Sequence, residues 1–280
     1  MALFVRTAGT SHPSGYARSQ WDPEAVNGTA VAALAGQELG DHASSTGLVP
    51  ARFSLELLRR VRFAGLETTV VTTRKGANIE VLDWSSHQEG QLVARATLTL
   101  LRESRQPPGE FWTAERGARP PCPPGPPTRP GLWWNHDGAG PDLWTEQPRD
   151  VQNAQRKRIW INHVEAIEGV PMSSVARLAA TAELTNTITA LGSTGIGYIN
   201  HDTTAAFTRA PAAGGLGLEA HQHLAAAGLA VNVAQLYDAE GVLGVAVVSS
   251  LSVAERRLDL SDTGPEWADS GNLSRAHRAS

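Results

Sequence analysis

Three adjacent polar residues, Asn200, His201 and Asp202, stand near the start of a segment with the composition of a β-strand. Histidine and aspartate transfer protons in many enzymes, and asparagine can hydrogen-bond a substrate. Successive residues of a strand point to opposite faces of its sheet. A cleft on one face would therefore meet either His201 or the pair Asn200 and Asp202, so the triplet does not by itself predict a three-residue cluster.

The alternation of small and apolar residues favours His201 as the inward residue. These residues fall at odd positions along the segment, namely Ile199, Thr203, Ala205 and Phe207. An odd-numbered core face would turn His201 inward and Asn200 outward. Because the first residues of a strand often lie in a loop, both orientations stay open, and Asp202 is expected to be solvated or paired with an arginine.

Other patterns of a kind that can carry chemistry have simpler interpretations. Glu219, His221 and His223 share one strand face and could hold a metal ion, but a solvated face accounts for them and we expect no metal. Residues 192–197 are rich in glycine but follow a helix and lack the Lys-Ser/Thr of a phosphate loop, so they predict a helix end. A second Asn-His-Asp, residues 135–137, is typical of a turn, and the Gly-x-Ser-x-Gly nucleophile motif is absent from the sequence.

Composition narrows the classes of function. The 280 residues are 41% hydrophobic and 19% charged, which is enough to bury a large core. The net charge of −4, with both signs interspersed, predicts no nucleic-acid partner. Apolar runs fall well short of the roughly 20 residues that span a bilayer, so we expect no membrane partner. A single cysteine, Cys122, and an N-terminus unlike a secretory signal predict a cytoplasmic location.

The elements that must position these residues occur twice. In each half a helix rich in small residues precedes a strand, and a hairpin follows; the helices are 29–42 and 175–191, the strands 53–61 and 203–211, and the hairpins 76–98 and 228–248. Alanine favours helix, and a helix of small residues can lie close to a curved sheet. Both helices contain Glu-Leu, at Glu38 and Glu183. The repeat predicts two similar units in one chain.

A different composition separates the two units. Residues 104–158 are rich in proline and glycine, which is typical of a linker. The linker contains four tryptophans, which are expected to pack on the body because exposed tryptophan is uncommon: Trp112, Trp133, Trp134 and Trp144. Residues 257–280 are polar and predict a frayed tail.

A long alanine-rich helix wrapped by an antiparallel sheet, duplicated in one chain, resembles the double hotdog fold. The sequence also resembles the type II acyl-CoA thioesterases of bacteria, over residues 21–39 (WDPEAVNGTAVAALAGQEL), 48–66, 90–102, 207–211 and 234–251. The resemblance implies an α+β double hotdog with two long central helices, each wrapped by an antiparallel sheet. Its parts would be an N-terminal hotdog (1–103), the linker (104–158), a C-terminal hotdog (159–256) and the tail (257–280).

The resemblance also implies a site. The family hydrolyses fatty acyl-CoA thioesters with a carboxylate in the second hotdog helix, a threonine at the start of the next strand and a glutamine in the last strand. Matched onto this sequence, these positions fall on Glu183, Asn200 and Ser249, and none is the family's usual residue. Glu183 is either a base whose pKa is raised by burial or a surface residue of its helix. Ser249 is either an inward partner, on a face shared with Val245, Val247 and Leu251, or a small filler residue.

The function implied by the resemblance is that of an acyl-CoA or carrier-bound acyl thioesterase-like protein that hydrolyses or binds the thioester and needs no cofactor. If CoA binds, the candidate phosphate contacts are Arg59, Arg60, Arg74, Lys75 and Arg209. One alternative is a diverged hotdog enzyme that dehydrates, isomerises or cyclises its substrate with His201 or Asp202 as acid or base. Another is a non-catalytic acyl-binding protein. An apolar outer sheet face would join copies of the chain into a homo-oligomer.

Overall fold

Two antiparallel helices lie at the centre of the fold in the computed structural model, which describes residues 1–43, 47–112, 120–125 and 127–261. The first is α1 (Gly28–His42), and the second consists of α2 (Ser174–Glu183) and α3 (Thr185–Ala190). Each begins at a side-chain cap: Asn27 Oδ1 accepts a hydrogen bond from Ala30 N at 2.6 Å, and Ser173 Oγ accepts one from Ala176 N at 3.1 Å. In the described ranges no helix is long and apolar enough to cross a membrane.

The second helix is interrupted where a single helix over 175–191 was predicted. The N–H of Leu184 bonds to Thr181 O at 3.2 Å, a shorter loop than an α-helix makes. The hydroxyls of Thr181, Thr185 and Thr189 donate to carbonyls of the preceding turn at 2.6–2.8 Å. Such bonds compete with the regular helix. The interruption places Glu183 at the last position of α2.

The strands of the N-terminal half, the segment between the halves and the C-terminal half follow in chain order. The first six are β1 (Ala2–Thr7), β2 (Thr10–Pro13), β3 (Leu48–Leu57), β4 (Leu66–Lys75), β5 (Ile79–Gln88) and β6 (Gln91–Arg102). The next three are β7 (Gly131–His136), β8 (Lys157–Asn162) and β9 (Glu165–Ile167). The last seven are β10 (Leu191–Gly192), β11 (Gly195–Ile196), β12 (Tyr198–Asn200), β13 (Asp202–Phe207), β14 (Leu216–Ala226), β15 (Leu229–Asp238) and β16 (Gly241–Ser252).

Nearly all of these strands join one sheet. Its order among the described residues is β7-β8-β14-β15-β16-β13-β3-β6-β5-β4-β2-β1-β9, with β12 paired to β16. The halves meet where β13 pairs antiparallel with β3, and Thr204 lies opposite Ser54 at this seam. Each half repeats the predicted order of helix, strand and hairpin. The fold is therefore an α+β double hotdog, as the repeat and the resemblance predicted.

The helices touch because small residues line their contact. A Cβ atom on Gly36 would lie 2.7 Å from Ala176 Cα, so this approach requires glycine. The buried side chains of both halves form one continuous hydrophobic cluster. The two units therefore share a core, and the ends of the two helices lie against each other.

The segment between the halves is partly built into the body. Trp133 and Trp134 of β7 are buried and Trp144 is half-buried, as predicted. The prediction is wrong for Trp112, which is 89% exposed and lies outside any helix or strand. Of the predicted tail, Leu260 is buried and residues 262–280 lie outside the described residues.

Candidate functional site

A buried carboxylate lies where the two helices meet. Glu183, at the end of α2, is 8% exposed. Its Oε2 accepts a hydrogen bond from Thr29 Oγ1 at 2.7 Å, and its Oε1 accepts one from Asn200 Nδ2 at 3.2 Å. The three residues come from α2, α1 and β12, so both halves of the chain build the site.

The first turn of α1 forms one wall of this site. A Cβ atom on Gly28 would collide with Glu183 Oε1 and would lie 3.3 Å from Leu57 Cδ1, so only glycine permits the observed approach. The N–H group of Ala30 is bonded to the side chain of Asn27, and that of Val31 is bonded to its carbonyl. Among the described residues, the N–H groups of Gly28 and Thr29 have no partner. Two main-chain donors thus stand at the helix end that Glu183 contacts.

Burial changes the acidity of Glu183. Removal from water raises the pKa of its carboxyl group from 4.5 to about 7, because the charged form loses hydration. The hydrogen bonds from Thr29 and Asn200 act in the opposite direction, since they favour the charged form. A carboxyl group with a pKa near 7 can take up and release a proton at neutral pH, as a general base must.

Of the triplet Asn200, His201 and Asp202, it is Asn200 whose side chain faces Glu183. His201 is exposed, so the prediction that alternation turns it inward is wrong. The reason is a bend at His201 between β12 and β13, which shifts the phase of the alternation. Thr203 and Ala205 beyond the bend are buried, as predicted. The matching to the thioesterase pattern, which selected Asn200, gave the better orientation.

The side chains of Asp202 and Ser249 do not join the cluster around Glu183; Asp202 contributes its carbonyl, which accepts a hydrogen bond from Asn200 Nδ2 at 3.3 Å. Asp202 is half-buried, and its Oδ1 accepts a hydrogen bond from Ser249 N at 2.8 Å instead of pairing with an arginine. The prediction that Ser249 points inward is wrong, because the face that it shares with Val245, Val247 and Leu251 is the outer one and those three residues are exposed. Alternation could not reveal this, since the outer face of β16 is itself apolar.

The contribution of the N-terminal half was not predicted from the sequence. Thr29 was predicted only to begin a helix, although the antiparallel arrangement brings the start of one helix to the end of the other. A buried polar chain behind β12, formed by Asn186, Asn232 and Ser250, was not predicted either. An asparagine between two valines in a strand, as at Asn232, is uncommon and is the signal that could have revealed it.

The N-terminal half has a different side chain at the position equivalent to Glu183. Glu183 and Gln37 each lie ten residues after the N-cap of their helix. Gln37 also reaches the start of the opposite helix, where its Oε1 accepts a hydrogen bond from Ser173 N at 2.9 Å. Glu38, of the Glu-Leu pair common to both helices, faces the sheet and accepts a hydrogen bond from an indole N–H at 2.6 Å. The halves share a geometry, and the C-terminal half places a carboxylate in it.

Charged residues elsewhere are mostly engaged in structural contacts. Glu219 accepts a hydrogen bond from Arg158 Nε at 2.7 Å, and the described residues contain no group of His, Cys, Asp and Glu that could hold a metal ion. Arg209 makes two hydrogen bonds, at 2.6 and 2.7 Å, to the buried carboxylate of Asp238. Burial acts to raise the pKa of Asp238, but these bonds and those from two main-chain N–H groups outweigh it, so the pKa is lowered. Arg60 pairs with Asp22 at 2.6 Å. Arg59 is exposed and follows Leu57, a residue beside Gly28, by two positions.

An open groove of about 490 Å³ lies on the outer face of the N-terminal half, on the side of the sheet away from the helices. Its lining is polar and includes Arg52, Glu56, Asp83, Arg95 and Thr97. Arg95 bonds to Glu56, and Thr97 Oγ1 donates to Asp83 at 2.7 Å, so the charges are largely paired. The groove does not touch Glu183 and is not the candidate site.

The fold and the interhelical carboxylate define the chain as a double hotdog protein with a site built by both halves. Residues 17–101 match the acyl-CoA thioesterase N-terminal domain, and residues 104–249 match the acyl-CoA thioesterase C-terminal domain. The chain therefore belongs to the acyl-CoA thioesterase family and is an acyl-CoA thioesterase-like protein. No curated protein matches the sequence.

Solved structures share the fold at low sequence identity. An acyl-CoA thioesterase II, TesB2, from Mycobacterium marinum is 16% identical, with a TM-score of 0.59 over 93% of this chain and 96% of its own. A tesB protein from Mycobacterium avium subspecies paratuberculosis is 15% identical, with a TM-score of 0.58 over 90% and 96%. A hot dog fold protein from Alicyclobacillus acidocaldarius is 13% identical, with a TM-score of 0.57 over 90% and 96%. These likenesses agree with the double hotdog architecture.

Proposed function

We propose that the protein hydrolyses acyl-CoA thioesters with Glu183 as the general base. The observation that carries the proposal is the buried carboxylate at the start of α1, held by Thr29 and Asn200 and with a pKa near 7, in a chain of the acyl-CoA thioesterase family. Glutamate in place of the family's usual residue keeps a carboxylate at the helix position. A base near neutrality is the chemical requirement for activating water.

The proposed reaction begins with ionised Glu183 and a water molecule beside it. Glu183 takes a proton from the water as the water oxygen attacks the thioester carbonyl carbon. The tetrahedral intermediate collapses by breaking its carbon–sulfur bond, and protonated Glu183 returns the proton to the departing sulfur. The products are a carboxylic acid and the free thiol of CoA, and Glu183 is ionised again.

The developing oxyanion needs hydrogen-bond donors that are already in place. The N–H groups of Gly28 and Thr29 are available for this role at the start of α1, where the helix dipole also favours negative charge. Asn200 is less suited to this role, because its amide group already donates to Glu183 Oε1 at 3.2 Å and to the carbonyl of Asp202 at 3.3 Å. We assign the oxyanion to the helix end and the orientation of Glu183 to Asn200.

The test is the release of free thiol from acyl-CoAs of several chain lengths, with the same acyl groups on a carrier protein's pantetheine arm as a second series. We expect turnover with at least one acyl-CoA. If only the carrier-bound series is hydrolysed, the substrate is a carrier-bound acyl thioester and not an acyl-CoA. Binding without thiol release in either series would favour the non-catalytic acyl-binding alternative and contradict hydrolysis. Dehydration or cyclisation through His201 or Asp202 is disfavoured, because His201 is exposed and Asp202 is bonded to Ser249 N.

We further propose that the chain works in the cytoplasm and as a homo-oligomer. A sequence with a single cysteine, Cys122, suits a reducing compartment, because it has no second cysteine for an internal disulfide. The outer face of the C-terminal half exposes a group of apolar side chains on neighbouring strands, namely Ile199, Leu224, Leu229, Val231, Val245, Val247 and Leu251. The outer face of the N-terminal half is polar. A group of apolar side chains can meet its own copy across a twofold axis without opposing like charges, which supports contact between two C-terminal halves.

Replacing Val245 with glutamate is expected to dissociate the oligomer, because the contact would bury two like charges. The matched control is Val71→Glu on the outer face of the N-terminal half; Val71 is 52% exposed and Val245 is 42% exposed. The measurement is molar mass by light scattering. A monomeric wild type, or an oligomer that Val245→Glu leaves intact, would contradict this interface.

We also propose limits for the parts of the chain: hotdogs over 1–103 and 159–256, a linker over 104–158 and a tail from 257. The family match divides the chain near the first limit, with residues 17–101 and 104–249 assigned to separate domains. Because the halves share one core and β1 pairs with β9, we take these limits to mark the repeat and not independently folding parts.

A further inference from the structure

A hydrogen-bonded chain of buried polar residues lies behind the strand that carries Asn200. Asn186 of α3 is 4% exposed, Asn232 of β15 is 0% exposed and Ser250 of β16 is 4% exposed. Asn186 Nδ2 donates to Tyr198 O at 2.8 Å, and Tyr198 begins β12, whose last residue is Asn200. The chain therefore contacts the main chain two residues before the side chain that bonds Glu183.

The donors and acceptors fix the direction of each bond in the chain. Asn232 Nδ2 donates to Ser250 Oγ at 2.9 Å and to Asn186 Oδ1 at 3.3 Å. Ser250 Oγ donates to Asn186 Oδ1 at 2.7 Å. Asn232 Oδ1 is then the acceptor for His223 Nδ1 at 2.6 Å, which requires the hydrogen of that imidazole to be on Nδ1. Asn186 is thus held in the one orientation in which its amide group faces the carbonyl of Tyr198.

The fold does not require polar residues at these positions, as the other half demonstrates. Asn232 is the fourth residue of β15, and the fourth residue of β5 is Leu82. Ser250 is the tenth residue of β16, and the tenth residue of β6 is Leu100. Both leucines are buried. The two positions are therefore polar in the half that holds Glu183 and apolar in the half that does not, although the N-terminal half buries Glu80, the residue paired with Leu100.

Buried polar groups are costly unless every one is bonded, so packing alone would favour leucine in both halves. The strand β12 has three residues, pairs with β16 on one side and leads into the bend at His201. The far end of this segment is held by Leu57 N, which donates to His201 O at 2.7 Å, and by the bond from Asn200 Nδ2 to Asp202 O at 3.3 Å. Asn186 holds the near end through the carbonyl of Tyr198, and Asn232 and Ser250 hold Asn186.

We propose that Asn186, Asn232 and Ser250 are positioning residues that hold β12 so that Asn200 stays bonded to the carboxylate of Glu183. The inference rests on the proposed function of Glu183 as a base. It adds that the base is oriented from behind, through the main chain of β12, by residues that do not touch the substrate. Their loss should impair catalysis more than it impairs substrate binding.

The test compares Ser250→Ala and Asn232→Leu with wild type, and the latter copies the residue of the N-terminal half. Both are expected to lower kcat roughly 10–100-fold while KM changes less than about threefold, the scale of effect that a small misplacement of a catalytic group has. Ser250→Thr, which keeps the hydroxyl, should recover most of the activity. Leu82→Ala and Leu100→Ala control for loss of stability, since they alter packing at the equivalent positions and should leave kcat near that of wild type.

A second measurement keeps the inference independent of turnover. A carbon-13 NMR titration of the Glu183 carboxyl group should give a higher midpoint in Ser250→Ala and Asn232→Leu than in wild type, because the bond from Asn200 favours the charged form. Unchanged midpoints in both variants would overturn the proposal even if no acyl-CoA is hydrolysed. If wild type hydrolyses no acyl-CoA but the midpoint is higher in the two variants than in wild type, the proposed function is contradicted and the positioning role is supported.

Discussion

Glu183→Gln is expected to lower kcat/KM for acyl-CoA hydrolysis by roughly 10²–10⁴-fold, the usual contribution of a general base. Glutamine keeps the size and the hydrogen-bonding capacity of the side chain but cannot accept a proton from water. In wild type, kcat/KM should rise with pH and level off above about pH 7, because burial raises the pKa of Glu183 to about 7 and the charged form is the base. Steady-state thiol release from pH 5 to pH 9 measures both effects.

Glu38→Gln is the matched control for this loss of activity. Glu38 is also 8% exposed and also lies on a central helix, but it faces the sheet of the N-terminal half, where Arg6, Thr68 and Trp84 donate hydrogen bonds to it. Its replacement should reduce stability and leave kcat within a few-fold of wild type. Activity of Glu183→Gln within fivefold of wild type would show that water is activated by another group.

The same substitution is expected to stabilise the protein at high pH. The pKa of Glu183 is about 7 in the folded protein and near 4.5 when the chain unfolds, so the folded state holds this proton more tightly. Wild type therefore loses stability as pH rises from 4.5 through 7, because a buried charge must form. Glutamine has no such charge, and its advantage in free energy of unfolding should grow by about 3 kcal/mol between pH 4.5 and pH 8.

Urea denaturation of wild type and Glu183→Gln at several pH values measures this difference. At pH 4.5 the two proteins should have similar midpoints, since Glu183 is then neutral in the folded protein, as glutamine is. Glu38→Gln again serves as the comparison, because it loses the ion pair with Arg6 and should be less stable than wild type at neutral pH. A constant difference between Glu183→Gln and wild type over the whole range would mean that Glu183 ionises as it does in water.

The repeat in the sequence predicted two similar units, and the resemblance to the double hotdog fold predicted how each unit is built. Helix, strand and hairpin are local patterns, and their duplication specifies two equivalent units. The interruption at Leu184 was not predicted, because it depends on hydroxyls of Thr181 and Thr185 that bond their own helix. Alanine content, which governs the helix propensity of 175–191, carries no information on those bonds.

The site was harder to predict than the fold. Glu183 and Asn200 came from matching to the family pattern, whereas alternation selected His201, which a bend turns to solvent. The inward orientation of Ser249 was wrong for a related reason. A period of two assigns residues to faces but does not tell which face is buried when both are apolar. Thr29 lies 154 positions from Glu183, and only the antiparallel contact of the helices brings the two together.

The seam between β3 and β13 joins two hotdog units of one polypeptide into a single sheet. In an assembly of two identical hotdog chains, each substitution would enter both sites at once, and a change that harmed one would harm the other. Tandem duplication removes that constraint. Gln37 can stand opposite the start of one helix while Glu183 stands opposite the start of the other. The N-terminal half is then free to change the residue at its own equivalent position, whereas Gly28 and Thr29 stay constrained because they form one wall of the Glu183 site.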